Sequence, residues 1–115
     1  MTTQDSPARR DPVAILGGGN VGQALARGWA AAGRFAPAEI MITRRQIDKL
    51  SELAEAGFRV GTDNRAAVEQ ARQIVVAVQP QQLRALLLEI RQVLDPQRHT
   101  LISVASGVRM EQIRA

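Results

Sequence analysis

Residues 14–28 read AILGGGNVGQALARG. An apolar run meets three consecutive glycines, Gly17, Gly18 and Gly19, and a helix-compatible pattern follows. Glycine gives up more backbone freedom on folding than any other residue, so three together need a reason. One reason is a tight strand-to-helix turn. The other is a loop whose bare backbone lets a phosphate approach. The flanking sequence decides between them.

Upstream, Val13-Ala14-Ile15-Leu16 is continuously apolar, as a strand covered on both faces must be. Downstream, Val21, Leu25, Trp29 and Ala32 recur at helical spacing among helix-favouring alanines, and Gly33 is placed to end the helix. Gly28, inside that helix, is expected to allow close packing on the sheet, and Trp29 to be a packing residue. Ile40–Thr43 is a second strand, residues 46–56 a second helix closed by Gly57, and Phe58–Val60 a short third strand. Asp63 or Asn64 can cap a short helix over residues 65–71. Ile74–Val78 is the strongest strand. Pro80 then opens a helix whose stripe runs through Leu83, Leu86, Leu87, Ile90, Val93 and Leu94 before Asp95-Pro96 ends it. Thr100–Val104 is a fifth strand, and residues 110–115 read as the start of another helix. Strands and helices alternating in this way predict an α/β fold: a Rossmann-type parallel sheet of five strands flanked by helices, with right-handed crossovers.

Composition bounds the rest. The chain has 115 residues, 45% hydrophobic and 23% charged, which suits one domain with a modest core. Residues 1–12, MTTQDSPARRDP, are expected to be a flexible tail without the apolar centre of a signal peptide, and residues 13–115 the domain. There is no cysteine and a single histidine, so disulfides, thiolate chemistry and Cys- or His-based metal sites are excluded and no metal site is expected. His99 is assigned to a surface turn. No apolar stretch approaches the roughly 20 residues of a membrane-spanning helix, and a cytoplasmic protein is expected. The net charge of +4 raises the question of nucleic acid. The basic residues, all arginine except Lys49, are scattered, and aromatics for base stacking are only 3% of the chain, so neither nucleic acid nor membrane is an expected partner.

Gly17-Gly18-Gly19-Asn20-Val21-Gly22 satisfies G-x-G-x-x-G between an apolar strand and a helix, the context that the pattern requires. Gly17 permits the turn, Gly19 clears an approach for a pyrophosphate, and Gly22 lets the helix pack closely. The helix N-terminus then meets the phosphates. An acidic residue at the end of the second strand would bind a ribose 2′-hydroxyl. Thr43-Arg44-Arg45 stands there instead, and two guanidinium groups with a hydroxyl suit a 2′-phosphate. The expected cofactor is NADP(H), with NAD(H) second.

Taken together, GGGNVGQALARGWAAAG (residues 17–33), TRR (43–45), TDNRAAVEQA (62–71), VVAVQPQQL (75–83) and LISVASGV (101–108) resemble, in order, the N-terminal half of pyrroline-5-carboxylate reductase. That family reduces 1-pyrroline-5-carboxylate to proline with NAD(P)H, the last step of proline biosynthesis. The resemblance implies a phosphate-binding loop at Leu16, Gly17, Gly18, Gly19, Asn20 and Val21. It implies an adenosine-ribose segment at Thr43, Arg44 and Arg45, and an adenosine contact at Asn64. Ala77, Val78, Gln79 and Pro80, with Val104, Ala105, Ser106 and Gly107, would form loops beside the cofactor. Gln79 departs from the family's usual lysine, and Ser106 from its usual second alanine.

The family continues into a helical C-terminal domain that carries dimerisation and most of the substrate pocket. This stretch of sequence lacks it and offers no proton donor for an imine, so no catalytic residue is assigned. The chain is expected to be inactive alone, to accept an imine substrate only when completed by such a domain, and to be able to form a homodimer. Two other readings stand beside this one: a non-catalytic NADP-binding module, and a reductase of the same fold acting on a deazaflavin or a β-hydroxyacid.

Overall fold

The computed structural model describes residues 12–104. Five strands form one wholly parallel sheet: β1 (Val13–Leu16), β2 (Ile40–Thr43), β3 (Arg59–Gly61), β4 (Gln73–Val76) and β5 (Thr100–Ser103), in spatial order β3-β2-β1-β4-β5. The helices between them are α1 (Asn20–Ala31), α2 (Ser51–Glu55), α3 (Asn64–Gln70) and α4 (Pro80–Ile90). The chain winds outward from β1 to β3, then returns to β4 on the other side of β1. The order therefore reverses between β1 and β4, where ligands of open α/β sheets bind.

Alternation along the strands builds a core on each face. Val13 and Ile15 of β1, Ile40 and Ile42 of β2 and Val75 of β4 face one side, with Ala26 of α1, Leu50, Leu53 of α2 and Phe58. Ala14, Leu16, Ile74 and Val76 face the other, against Ala67 and Val68 of α3 and Leu83, Leu86 and Ile90 of α4. The register pairs Ile15 with Ile42 and Val75, and Leu16 with Thr43 and Val76, so the C-terminal ends of the three central strands are level.

Several boundaries differ from those read in the sequence. The second helix is split: a 3-10 turn over Ile47–Leu50 precedes α2. Ile47, Leu50 and Leu53 are spaced by three, the period of the tighter helix. Leu50 and Leu53 are fully buried, while Ile47 is 42% exposed. The third strand starts one residue later because the Phe58 N–H donates to Leu53 O (3.0 Å), closing α2. β4 ends at Val76, although Ala77 N–H still donates to Leu16 O (2.8 Å). Likewise β5 ends at Ser103, with Val104 N–H on Val76 O (2.9 Å). α4 stops at Ile90, whose carbonyl accepts the N–H groups of Val93 and Leu94 in a closing turn, so those two side chains flank the core from outside the helix.

Within α1 the fully buried seam is Gly22 and Ala26; of the expected stripe, Leu25 and Trp29 pack against the core, whereas Val21 is 56% exposed and Ala32 is exposed. Gly28 is also a correction: a Cβ there would meet nothing within 4 Å, so it makes no close packing contact with the sheet. Gly33 has φ +74° and does follow the helix end. Trp29 packs on Phe35, ring centroids 5.3 Å apart. Asp63, rather than Asn64, caps α3 through a hydrogen bond accepted from Ala66 N–H (3.1 Å). The tail over residues 1–11 and the helix start at residues 110–115 lie outside the described residues.

Candidate functional site

The glycine turn sits at the C-terminal end of β1, at the reversal of strand order. Gly17 has φ +105°, and a Cβ on it would lie 2.8 Å from Ala77 O, so both conformation and space demand glycine. A Cβ on Gly22 would lie 2.4 Å from Gly17 O, which is how closely α1 meets the turn. Gly18 was not assigned a steric role in the pattern, yet its Cβ would come within 2.9 Å of Ile42 Cγ2 and Leu50 Cδ2. Gly19 is the opposite case: a Cβ there would meet nothing within 4 Å. Its φ of −78° is open to any residue, so sterics within the chain do not require it to be glycine.

The turn is tied to β2 by its backbone. Thr43 O accepts the N–H groups of both Gly17 (3.1 Å) and Gly18 (2.8 Å). Gly19 is the N-cap of α1 without a side-chain cap, and the first turn of α1 carries no acidic residue. The N–H groups of Gly19, Asn20 and Val21 meet no acceptor among the described residues. The loop thus presents free donors and the positive end of a twelve-residue helix beside an open space.

Thr43, Arg44 and Arg45 follow at the end of β2. Thr43 is 3% exposed, and its hydroxyl donates to Asn64 Oδ1 in a short hydrogen bond that joins two of the expected site residues across 21 positions. Arg44 is half-buried. Its backbone N–H donates to Gly61 O (3.0 Å), and its Nη1 donates to Gly18 O (2.9 Å). Arg45 is exposed. Asn64 Nδ2 in turn donates to both carboxylate oxygens of Glu89 on α4, at 3.3 and 3.4 Å.

On the other side of the reversal, Ala77, Val78, Gln79 and Pro80 form the β4–α4 turn, with Gln79 the exposed N-cap of α4 and Pro80 its first residue. Val78 Cγ1 would lie 2.8 Å from a Cβ on Gly17, so this turn abuts the glycine loop. Leu16, buried, and Asn20 and Val21, both exposed, complete the loop. Val104 continues β5 beside Val76, while Ala105, Ser106 and Gly107 lie outside the described residues. Sequence reasoning missed two residues. Gln23 Nε2 donates to Gly18 O (2.7 Å), and Glu89 holds Asn64. Each is a polar residue on a helix, and no local pattern marks it.

His99 occupies the expected turn but is half-buried. Its Nδ1 accepts the Asp95 N–H (2.9 Å), and its Nε2 is buried without a partner among the described residues. A cavity of about 450 Å³ beside it, lined by Phe35, Arg72, Gln73 and residues 96–100, lies at the N-terminal ends of β4 and β5, the opposite end of the sheet from the glycine loop. No helix among the described residues is long and apolar enough to cross a membrane.

A parallel sheet that reverses its order beside a glycine-rich strand-to-helix turn defines a Rossmann-type dinucleotide-binding domain. Residues 12–107 match the family described as NADP oxidoreductase coenzyme F420-dependent, and the chain belongs to that family. The chain is 39% identical over 103 residues to pyrroline-5-carboxylate reductase 1 of Dictyostelium discoideum, covering 90% of this chain and 18% of that protein. The solved pyrroline-5-carboxylate reductase of Coxiella burnetii superposes with a TM-score of 0.83 at 31% identity, covering 92% of this chain and 39% of that one. The Plasmodium falciparum pyrroline carboxylate reductase, solved with NADP bound, shares the fold with a TM-score of 0.76 at 21% identity. The chain thus spans well under half the length of these relatives.

Proposed function

We propose that residues 13–115 are the NADPH-binding domain of an enzyme that reduces 1-pyrroline-5-carboxylate or a closely related cyclic imine. The open space at Gly19, beside three free backbone donors, carries the reading. The loop fits a pyrophosphate there and crowds out side chains at Gly17, Gly18 and Gly22. Leu16 to Val21 would hold the pyrophosphate. Of the two arginines after β2, exposed Arg45 would face the 2′-phosphate and Arg44, bonded to Gly18 O, would shape the loop, while the buried Thr43 hydroxyl donates its hydrogen bond to Asn64. Asn64 would approach the adenosine. Ala77 to Pro80 would flank the cofactor across the strand reversal, and Val104 to Gly107 would flank it beyond β5.

The bound cofactor supplies the hydride, and this chain's residues bind and orient it. The similarity to pyrroline-5-carboxylate reductases supports the substrate class. Their greater length supports a division of labour in which the substrate pocket lies outside the aligned region. The test is a turnover assay with 1-pyrroline-5-carboxylate and NADPH. The 115-residue chain is expected to bind cofactor with little turnover, and a protein completed by a C-terminal domain to turn over. Failure of the completed protein to oxidise NADPH with this substrate, alongside normal cofactor binding, would contradict the substrate assignment.

A further inference from the structure

Gly18 O accepts two side-chain hydrogen bonds, from Gln23 Nε2 at 2.7 Å and from Arg44 Nη1 at 2.9 Å. A carbonyl oxygen has two lone pairs, so its accepting capacity is used up. The donors come from different elements. Gln23 stands on the first turns of α1, and Arg44 directly follows β2, where its own N–H is anchored on Gly61 O at 3.0 Å. The peptide joining Gly18 to Gly19 is trans, as the described residues contain no cis bond. In a trans peptide the C=O and the following N–H point in opposite directions. Holding Gly18 O toward Gln23 and Arg44 therefore turns the Gly19 N–H away from them. That N–H meets no acceptor among the described residues, and the space about Gly19 is open. Glycine on both sides of this peptide lowers the barrier to other orientations, so side chains have to fix it.

We propose that Gln23 and Arg44 are positioning residues that lock the Gly18–Gly19 peptide with its N–H toward the pyrophosphate, and that Arg45 is the cation that distinguishes NADPH from NADH. The assignment rests on the dinucleotide reading given above. It separates two neighbouring arginines that the sequence pairs. Arg44 acts on a part that both cofactors share. Arg45 is exposed and has no hydrogen-bond or ion-pair partner among the described residues, so its guanidinium is available to the phosphate that only NADPH carries.

The experiment has two arms. In the ligand-free protein, the carbonyl 13C chemical shift of Gly18 reports the two hydrogen bonds directly. It should move in Gln23→Ala and Arg44→Ala, and less in Arg44→Lys, which keeps a cationic donor. Titration with NADH and NADPH then reads the consequence. Gln23→Ala and Arg44→Ala should each weaken NADH about tenfold, the scale of one lost hydrogen bond of this kind, and NADPH at least as much. Arg44→Lys should recover most of the NADH affinity. Arg45→Ala should weaken NADPH more than NADH. An Arg44→Ala protein that loses NADPH while holding NADH as the parent does would overturn the proposal, as would a Gly18 carbonyl shift unmoved by both alanine variants. A parent chain that binds neither cofactor would contradict the dinucleotide reading instead, with the carbonyl shift still deciding whether the clamp exists.

Discussion

Gly22 stands so close to Gly17 that a Cβ on it would lie 2.4 Å from the Gly17 carbonyl oxygen and 3.2 Å from Ile15 Cγ2. The first contact is backbone and cannot yield without moving the turn, and the second is a core side chain that must give by a few tenths of an ångström. Gly22→Ala is expected to destabilise the fold by about 1–3 kcal/mol, the usual cost of overpacking, and to weaken dinucleotide binding by displacing the loop. Urea denaturation with a parallel cofactor titration checks both. A variant of parental stability and affinity would show that α1 can slide.

Gly19→Val should behave in the opposite way. The added side chain enters open space at an ordinary φ, so the fold should lose no more than about 1 kcal/mol, the scale of a poorer N-cap for α1. The side chain fills the approach to the free N–H groups, and binding should be lost. Circular dichroism melting and a titration on the same sample separate fold from function. Retained binding would mean that the glycine run is only a turn.

Gly18 and Leu50 make a coupled pair, since a Cβ on Gly18 would lie 2.9 Å from Leu50 Cδ2. Leu50 is fully buried, so Leu50→Ala should cost about 2–5 kcal/mol. Gly18→Ala alone should also destabilise, by crowding Leu50 and Ile42. Combined, the new methyl enters part of the space that leucine vacates, and the double variant should be more stable than the sum of the two losses predicts. Strict additivity in denaturant melts would contradict the packing described.

β1 and β4 are buried on both faces, so their apolar runs announce them, and Gly17, Gly19 and Gly22 fall at the pattern's spacing beside β1. The seam of α1 was harder to read because its buried members, Gly22 and Ala26, are small and carry little hydrophobic signal, whereas Val21 is apolar and faces outward. The break before α2 falls at Leu50, which is fully buried beside Gly18, and that neighbour comes from the turn after β1. The bonds from Arg44 to Gly18, Thr43 to Asn64 and Asn64 to Glu89 span 26, 21 and 25 positions. Strand register and helix placement create these, so no local pattern contains them.

Because Arg45 is exposed, the preference for NADPH should depend on salt. The screening length falls from about 10 Å at 0.1 M to about 3 Å at 1 M ionic strength. The ratio of NADH to NADPH dissociation constants should therefore shrink steadily as sodium chloride rises, and it should start smaller in Arg45→Ala. A ratio independent of salt would mean that the phosphate is read by buried groups.

Isothermal titration of the 115-residue chain with NADPH and NADH at low ionic strength tests whether the glycine loop and the arginines after β2 form an NADPH site. Saturable one-to-one binding of both is expected, with NADPH bound about tenfold or more tightly, the scale of one charge-assisted contact. Equal affinities would contradict the assignment of the 2′-phosphate to Arg45, and no binding of either would contradict the site.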